Sequence, residues 1–388
     1  MTVQAGGLSF HHLSGYWPAV STREVRTTVL MDLEYKPDAA KAFERLEAWW
    51  EGEILDRPAI QLFAPKENPA PLPRKNHASL REKWMDVDYT VECADIHISN
   101  THYIGEAFPA FWPNLGPDVL AAVIYAELEF GEDTSWSVPL LKDWGLVPEL
   151  AVQPENEYAK TILAMTRLAL EVGQGKFLVG LTDIHPDADL AAALRDPQQL
   201  CLDLLNEPDQ VKQLLAQLRS AFFDFYNLAY DLIRGHGQTV TTSWLPLAAE
   251  GRYYIPSNDF SCMVSNRMFR EFFLEAIIEQ VEWLDRSIYH LDGPNALQHL
   301  DCLLEIEKLD AVQYVWGAGN GRATDWIPTF QKIQDAGKNL WIPFEADELD
   351  TLMNALKPEG TMLAGWMSCR EEAASVLEKI ALWPLKKG

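Results

Sequence analysis

Several short apolar runs in this chain end in titratable or metal-ligating side chains, and these define the chemistry open to it. "SIYHLDG" (Ser287–Gly293) places an imidazole and a carboxylate, His290 and Asp292, two positions apart. On a strand that spacing puts both on one face. Such a pair can hold a metal ion or move a proton; alternatively, Asp292 is the N-cap of a helix beginning near Pro294. "KFLVGLTD" ends in Asp183, with His185 just beyond. "TVTTSWL" carries Ser243 and Trp244, and the chain runs on through Arg252 to "SNDFSCMVS" with Asp259 and Cys262. "AVQYVWG" presents Gln313 and Trp316, "NLWIPFE" ends in Glu345, and "TMLAGWMSC" ends in Cys369. Imidazole, carboxylate and thiolate are zinc's usual ligands, and the first two are the usual general acids and bases.

Each of these residues also has a plain structural reading. "DIHPDADL" after Asp183 reads equally as a loop leading into a capped helix, and Cys262 as a small packed side chain. His299 and Cys302 lie on "NALQHLDCLLEI" beside the stripe Ala296, Leu297, Leu300, Leu303 and Leu304, so His299 is expected to be a packing residue. "GAGNG" (Gly317–Gly321) lacks a P-loop lysine and a complete GxGxxG, which favours a tight turn over a phosphate loop. With 14 tryptophans, core packing accounts for most, although Trp112, Trp136, Trp244 and Trp316 are candidates to line a pocket.

These side chains must be positioned by elements, and the elements are readable by period. From about residue 177, short β-branched or aromatic runs alternate with amphipathic helical stretches such as "SNRMFREFFLEAIIEQVEWL" and "REEAASVLEKIAL". Continuous apolar strands separated by helices imply parallel strands buried on both faces, and short connections favour closure into a TIM (β/α)8 barrel. There, polar residues at strand C-terminal ends face the pocket. "DRPAIQLFAP" (Asp56–Pro65) is an earlier strand, preceded by the helix "DAAKAFERLEAWWEGEI". Residues 66–154, rich in Pro and aromatics, are expected to be an insertion capping one end, with a helix over "DVLAAVIYAELEF". The organisation expected is an N-terminal extension over 1–37 and a single domain over 38–388.

Composition narrows the function. The 388 residues carry 57 Asp plus Glu against 32 Lys plus Arg, a formal charge of −25. Such a surface repels nucleic acid and anionic membranes, so neither is expected as a partner. A polyanionic substrate would need a local guanidinium cluster. The five cysteines are scattered and lack CxxC spacing, against a disulfide framework or zinc ribbon. No run approaches the roughly 18–20 apolar residues that span a bilayer, and the N-terminus lacks signal-peptide features. A soluble, cytoplasmic protein is expected, with no nucleotide cofactor.

The chain resembles the uroporphyrinogen decarboxylase superfamily, which includes zinc-dependent methyltransferases acting on methylated corrinoid proteins. "DRPAIQLF" resembles the family's first strand, and "SNDFSCMVSNRMFREFFLEAIIEQV" a segment with an acidic pair and a helix start. "SIYHLDG" resembles a strand ending in His-x-x-Gly, and "SCREEAASVLEKI" a Gly-Thr-Pro-Glu-Glu-Val segment. The resemblance runs from about Asp56 onward and implies a TIM barrel with its pocket at the strand C-termini. The decarboxylase's arginine motif after the first strand is replaced here by "APKENPAP". The methyltransferases' His-x-Cys zinc motif becomes His290-Leu291-Asp292, and "KPEGTML" lacks the second Cys, leaving Cys369 and Glu345 as the nearest substitutes.

The resulting expectation is metal-assisted methyl (one-carbon) transfer on a small substrate or a corrinoid partner protein, with a homodimer compatible with it. His290 would ligate zinc, with Asp292, Glu345 and Cys369 as co-ligands; harder ligands also admit Mn²⁺ or Fe²⁺. Asp183 and Asp259 would act on the substrate beside His290 and Asp292, and His185, Trp244, Arg252, Gln313 and Trp316 would bind it. One rival is decarboxylation of a tetrapyrrole or other carboxylate, with Asp259 or Asp183 as acid and Arg252 or Arg322 as anchor. Another is a non-catalytic barrel that binds a small molecule or a corrinoid protein.

Overall fold

A computed structural model of the protein describes residues 32–146 and 149–384. Most of the expected N-terminal extension, residues 1–31, lies outside the described residues. The architecture is mixed α/β. Six strands are mutually parallel: Ile60–Pro65, Thr361–Trp366, Asn339–Pro343, Ala311–Val315, Arg286–Asp292 and Tyr253–Tyr254 follow one another across the sheet. Thr101–Gly105 adds an antiparallel edge beside Ile60–Pro65. A parallel pair, Ala110–Phe111 with Leu178–Val179, continues the alternation. The parallel strands are apolar and buried on both faces because helices flank them, as their unbroken hydrophobic runs require.

Helix Ala39–Trp50 covers one end. Its stripe Ala39, Ala42, Phe43, Leu46, Trp49 and Trp50 is buried, the spacing of one helical face. Trp49 Nε1 donates to the Gly360 carbonyl at 2.9 Å, and Asn339 Nδ2 donates to the Trp49 carbonyl at 2.8 Å. Gly360 and Asn339 stand where two strands begin, so the helix seals the N-terminal ends and leaves the C-terminal ends for the site. Each large apolar side chain buried there contributes about 1.5–3 kcal/mol.

The segment "DRP" is structural. Asp56 pairs with Arg45 at 2.6 Å, and Arg57 makes a buried two-pronged bond to Glu106 at 2.8 and 2.7 Å. Glu106 also accepts the Ile60 N–H at 2.8 Å, locking the first strand to the chain beyond its antiparallel neighbour.

The insertion differs in detail from the sequence expectation. Its helix stops at Ile124, and Tyr125 takes a φ of +151°. "ELEF" is then a strand, paired with Ser135–Val138 in a hairpin closed by the Gly131 N–H to the Thr134 carbonyl at 2.8 Å. Alternating exposure along both strands explains this: a half-exposed hairpin carries period-two polarity that a helix cannot use. The chain after Asp196 forms three helices in succession, Pro197–Asn206, Pro208–Leu218 and Ala221–Gly235. Pro208 lacks the N–H to continue the preceding helix. "GAGNG" is a turn in which Gly317, Gly319 and Gly321 all have positive φ, a conformation that favours glycine.

Candidate active site

His290 sits near the C-terminal end of strand Arg286–Asp292. In register beside it is Gln313 of the next strand, then Trp341 of the one after, so all three side chains point to the same side. His290 Nδ1 lies 2.7 Å from Gln313 Oε1. An amide oxygen only accepts, so in this pairing Nδ1 donates, and in the neutral ring Nε2 is the nitrogen left to ligate. Trp244 presents its ring edge-on to the imidazole at 5.4 Å. Asp292, two residues on, is exposed and makes no helix cap; Gly293 occupies the cap position before Pro294. The turn reading of Asp292 therefore gives way.

A second chain segment completes the group. The His290 N–H donates to the Pro256 carbonyl at 2.9 Å, docking the following turn, Asp259–Met263, against the strand end. The N–H groups of Asp259 and Phe260 donate to the two oxygens of Asp189 at 3.0 and 2.7 Å. Asp189 stands in the first turn of helix Asp187–Arg195. His185, just before that helix, packs Nε2 against Asp183 at 3.1 Å and aims Nδ1 between Asp189 at 3.7 Å and Asp259 at 3.6 Å. Two triads result, Asp259–His290–Asp292 and His185–Asp189–Asp259, each with its ligand atoms within 4.8 Å of one another and with Asp259 in common.

The electrostatics follow from this crowding. Burial and the Asp189 charge push the Asp259 carboxyl up to about 6, opposed by His185 and His290. For His185, burial disfavours the imidazolium, but the charges and hydrogen bonds of Asp183 and Asp189 outweigh it and hold the ring well above its usual value.

Two cavities meet this cluster. One, of about 710 Å³, is lined by Gln313 and Trp244 together with Trp112, Trp341, Phe63 and Trp366, the last two stacked at 5.3 Å. The other, of about 570 Å³, is lined by His185, Asp189 and Asp259 beside Trp136, Phe260 and Met263. Among the described residues neither of these cavities has an Arg or Lys in its wall.

The structure brings Asp183, His185, Asp259, His290, Asp292, Trp244 and Gln313 together. It leaves four expected residues elsewhere. Glu345 reaches the wall of the larger cavity, but its carboxylate is held by Arg322 at 2.8 Å, and its own N–H is taken by Glu348. Cys369 is exposed ahead of helix Arg370–Ala381. Among the described residues neither joins a ligand group with His290, so the expected His290–Asp292–Glu345–Cys369 set does not form. Strand-end position alone does not say how far apart two side chains point. Arg252 precedes strand Tyr253–Tyr254, at the sealed end, with its guanidinium over the Trp283 ring at 4.7 Å and the Tyr230 ring at 5.6 Å. Trp316 turns outward onto Phe330 and Tyr314, each at 6.4 Å. Arg322 is engaged by Glu345 and Asp347. His299 is the expected packing residue, buried and stacked on Phe269 at 4.3 Å.

The residue that sequence reasoning missed is Asp189. Its signal was partial: "DIHPDADL" reads as a loop leading into a capped helix, and Asp189 stands in that helix's first turn. Trp341 and Trp366 were hidden among the many tryptophans.

Comparison with known proteins adds a fold. A methyltransferase from Methanosarcina mazei matches with a TM-score of 0.57 over 88% of this chain and 98% of its own, at 12% identity. The fold is methyltransferase-like. No protein-family model matches, and no curated protein matches. Among the described residues no helix is long and apolar enough to cross a membrane.

Proposed function

We propose that the protein is an enzyme of metal-assisted methyl (one-carbon) transfer, built on a TIM barrel of the uroporphyrinogen decarboxylase superfamily and acting on a small substrate or a corrinoid partner. Closure of the sheet is supported by one apolar cluster that collects Phe108, Leu178, Val240, Tyr253, Ile288, Ala311 and Met362 from successive strands and the chain just before them. The Leu181 N–H bonds the Thr242 carbonyl at 2.9 Å, linking two further strand ends. The methyltransferase-like fold supports the reaction class.

The observation that carries the reading is the triad Asp259–His290–Asp292 at the open strand ends. Its donors suit a divalent ion: one imidazole with a free Nε2 and two carboxylates, a set that serves Zn²⁺ and equally Mn²⁺ or Fe²⁺. A divalent ion held there would supply Lewis acidity to activate an incoming nucleophile such as a thiol. The protein's own residues do the positioning. Gln313 fixes the tautomer of His290, Trp244 fixes the tilt of its ring, and Asp189 holds the turn that presents Asp259. The larger cavity offers aromatic walls for an apolar group and no cation for a polycarboxylate, which leaves the tetrapyrrole decarboxylase rival without an anchor.

The test is methyl transfer from methylcobalamin to a panel of small thiols, followed by the visible spectrum, with metal-loaded wild type and His290→Ala. The expected result is turnover by the wild type and at least a hundredfold loss in the variant, with its melting temperature preserved. Equal rates in both, or a metal-loaded wild type inert towards every thiol, would overturn the assignment.

A further inference from the structure

We propose that the centre is dinuclear, with a second divalent cation held by His185, Asp189 and Asp259 and with Asp259 bridging the two ions. The inference deepens the reading above and rests on it. Three observations lead to it.

The first is that both histidines are prepared in the same way. Each has one ring nitrogen against an oxygen that orients the ring, Asp183 Oδ1 at 3.1 Å for His185 and Gln313 Oε1 at 2.7 Å for His290. Metal-binding imidazoles are commonly oriented by such an outer partner. The other nitrogen of His185 then faces Asp189 and Asp259 at 3.7 and 3.6 Å. Those separations are long for hydrogen bonds. They are close to the roughly 3.3–3.6 Å between two donors sharing one tetrahedral ion through bonds of about 2.0–2.2 Å.

The second is an orphan. Asp259 Oδ1 is shielded from solvent and has no hydrogen-bond partner among the described residues, a costly state for a carboxylate oxygen. Asp259 belongs to both triads, so a cation on each side satisfies both of its oxygens. Asp189, by contrast, already accepts two backbone N–H bonds, and a carboxylate retains further lone pairs after that.

The third is charge and access. Asp189, Asp259 and Asp292, with Asp183 beside His185, bring four carboxylates together around two imidazoles, and two divalent ions balance four carboxylates where one does not. His185, Asp189 and Asp259 line the cavity of about 570 Å³, so the second ion has an entry path. Loaded, that cavity accepts a small anionic ligand offering an oxygen or sulfur donor, which its acidic wall otherwise repels.

Chelator-stripped full-length protein is dialysed against Mn²⁺ or Zn²⁺, its bound metal measured by mass spectrometry, and the Mn²⁺ form examined by electron paramagnetic resonance. The expected wild-type ratio is two ions per chain, with the multiline spectrum of a coupled pair. His185→Gln and His290→Gln are each expected to keep one ion and to show an uncoupled six-line spectrum. Asp189→Asn is a second probe should His185→Gln melt early. A wild type holding one ion that His185→Gln also keeps would overturn the second site and leave the His290 site standing. One ion lost only in His185→Gln would remove the His290 site, and an empty wild type would remove both. Two uncoupled ions would overturn the bridge.

Discussion

At the scale of single residues, orientation matters as much as identity. His290 is legible as a candidate from "SIYHLDG" because a strand end exposes it, but its competence depends on Gln313 on the adjacent strand. Gln313, expected to bind substrate, lines the larger cavity, and the register also sets its amide oxygen against His290. Gln313→Leu removes that acceptor and leaves the packing of the strand. The expected outcome is a loss of metal affinity of roughly 10–100-fold with little change in melting temperature, read by competitive titration against a chromophoric chelator. An unchanged affinity would show that Gln313 serves the substrate alone. Glu345 and Cys369 teach the complementary lesson. Both stand at strand ends, yet an arginine holds the first and solvent the second. No one-dimensional pattern reports that Arg322 folds back onto Glu345.

At the scale of elements, the parallel strands and their helices were readable because unbroken apolar runs and amphipathic runs have different periods. The His290 strand, Ala311–Val315 and Asn339–Pro343 fall where the sequence places them. The insertion was read less well. Its antiparallel strand Thr101–Gly105 and the hairpin from Glu127 are short and half-exposed, so their patterns are faint. Beside the ladder of Thr101–Gly105 on Ile60–Pro65, the insertion is tied to the sheet by the buried Arg57–Glu106 pair, with Arg45 3.6 Å away. Glu106→Ala leaves the Arg57 guanidinium buried without its counter-ion. It is expected to destabilise the protein by about 3–5 kcal/mol, measured by urea unfolding, whereas a loss below about 1 kcal/mol would mean that water replaces the carboxylate. The turn Asp259–Met263 is another element whose role emerged only in three dimensions. Asp189 pins it from a helix 70 residues earlier in the chain.

At the scale of the whole molecule, the formal charge of −25 concentrates divalent cations and disfavours polyanions, in accord with a site built from carboxylates and imidazoles. Acidity also shapes stability. Burial pushes Glu47 up to about 7, with Glu250 and Glu51 adding to the shift and Arg286 opposing it. A carboxyl raised in the folded state prefers its proton there. This group's contribution to stability is therefore greatest below the ordinary glutamate range and falls as pH rises towards 7, because only the unfolded chain ionises it readily in that window. Glu47→Gln removes the penalty. It is expected to change the melting temperature little at pH 4.5 and to stabilise the protein at pH 8 by on the order of 1–2 kcal/mol, after allowance for solvent screening. Equal effects at the two pH values would contradict the buried-acid account.

The central claim is that His290, Asp259 and Asp292 hold a divalent ion at the open ends of the strands. The most direct measurement is an anomalous difference map from crystals of the protein grown with Zn²⁺ or Mn²⁺. The account predicts a peak about 2.0–2.2 Å from a nitrogen of His290 and from oxygens of both aspartates. A fully loaded crystal with no peak there, or with its ion beside Glu345 and Cys369 instead, would contradict it.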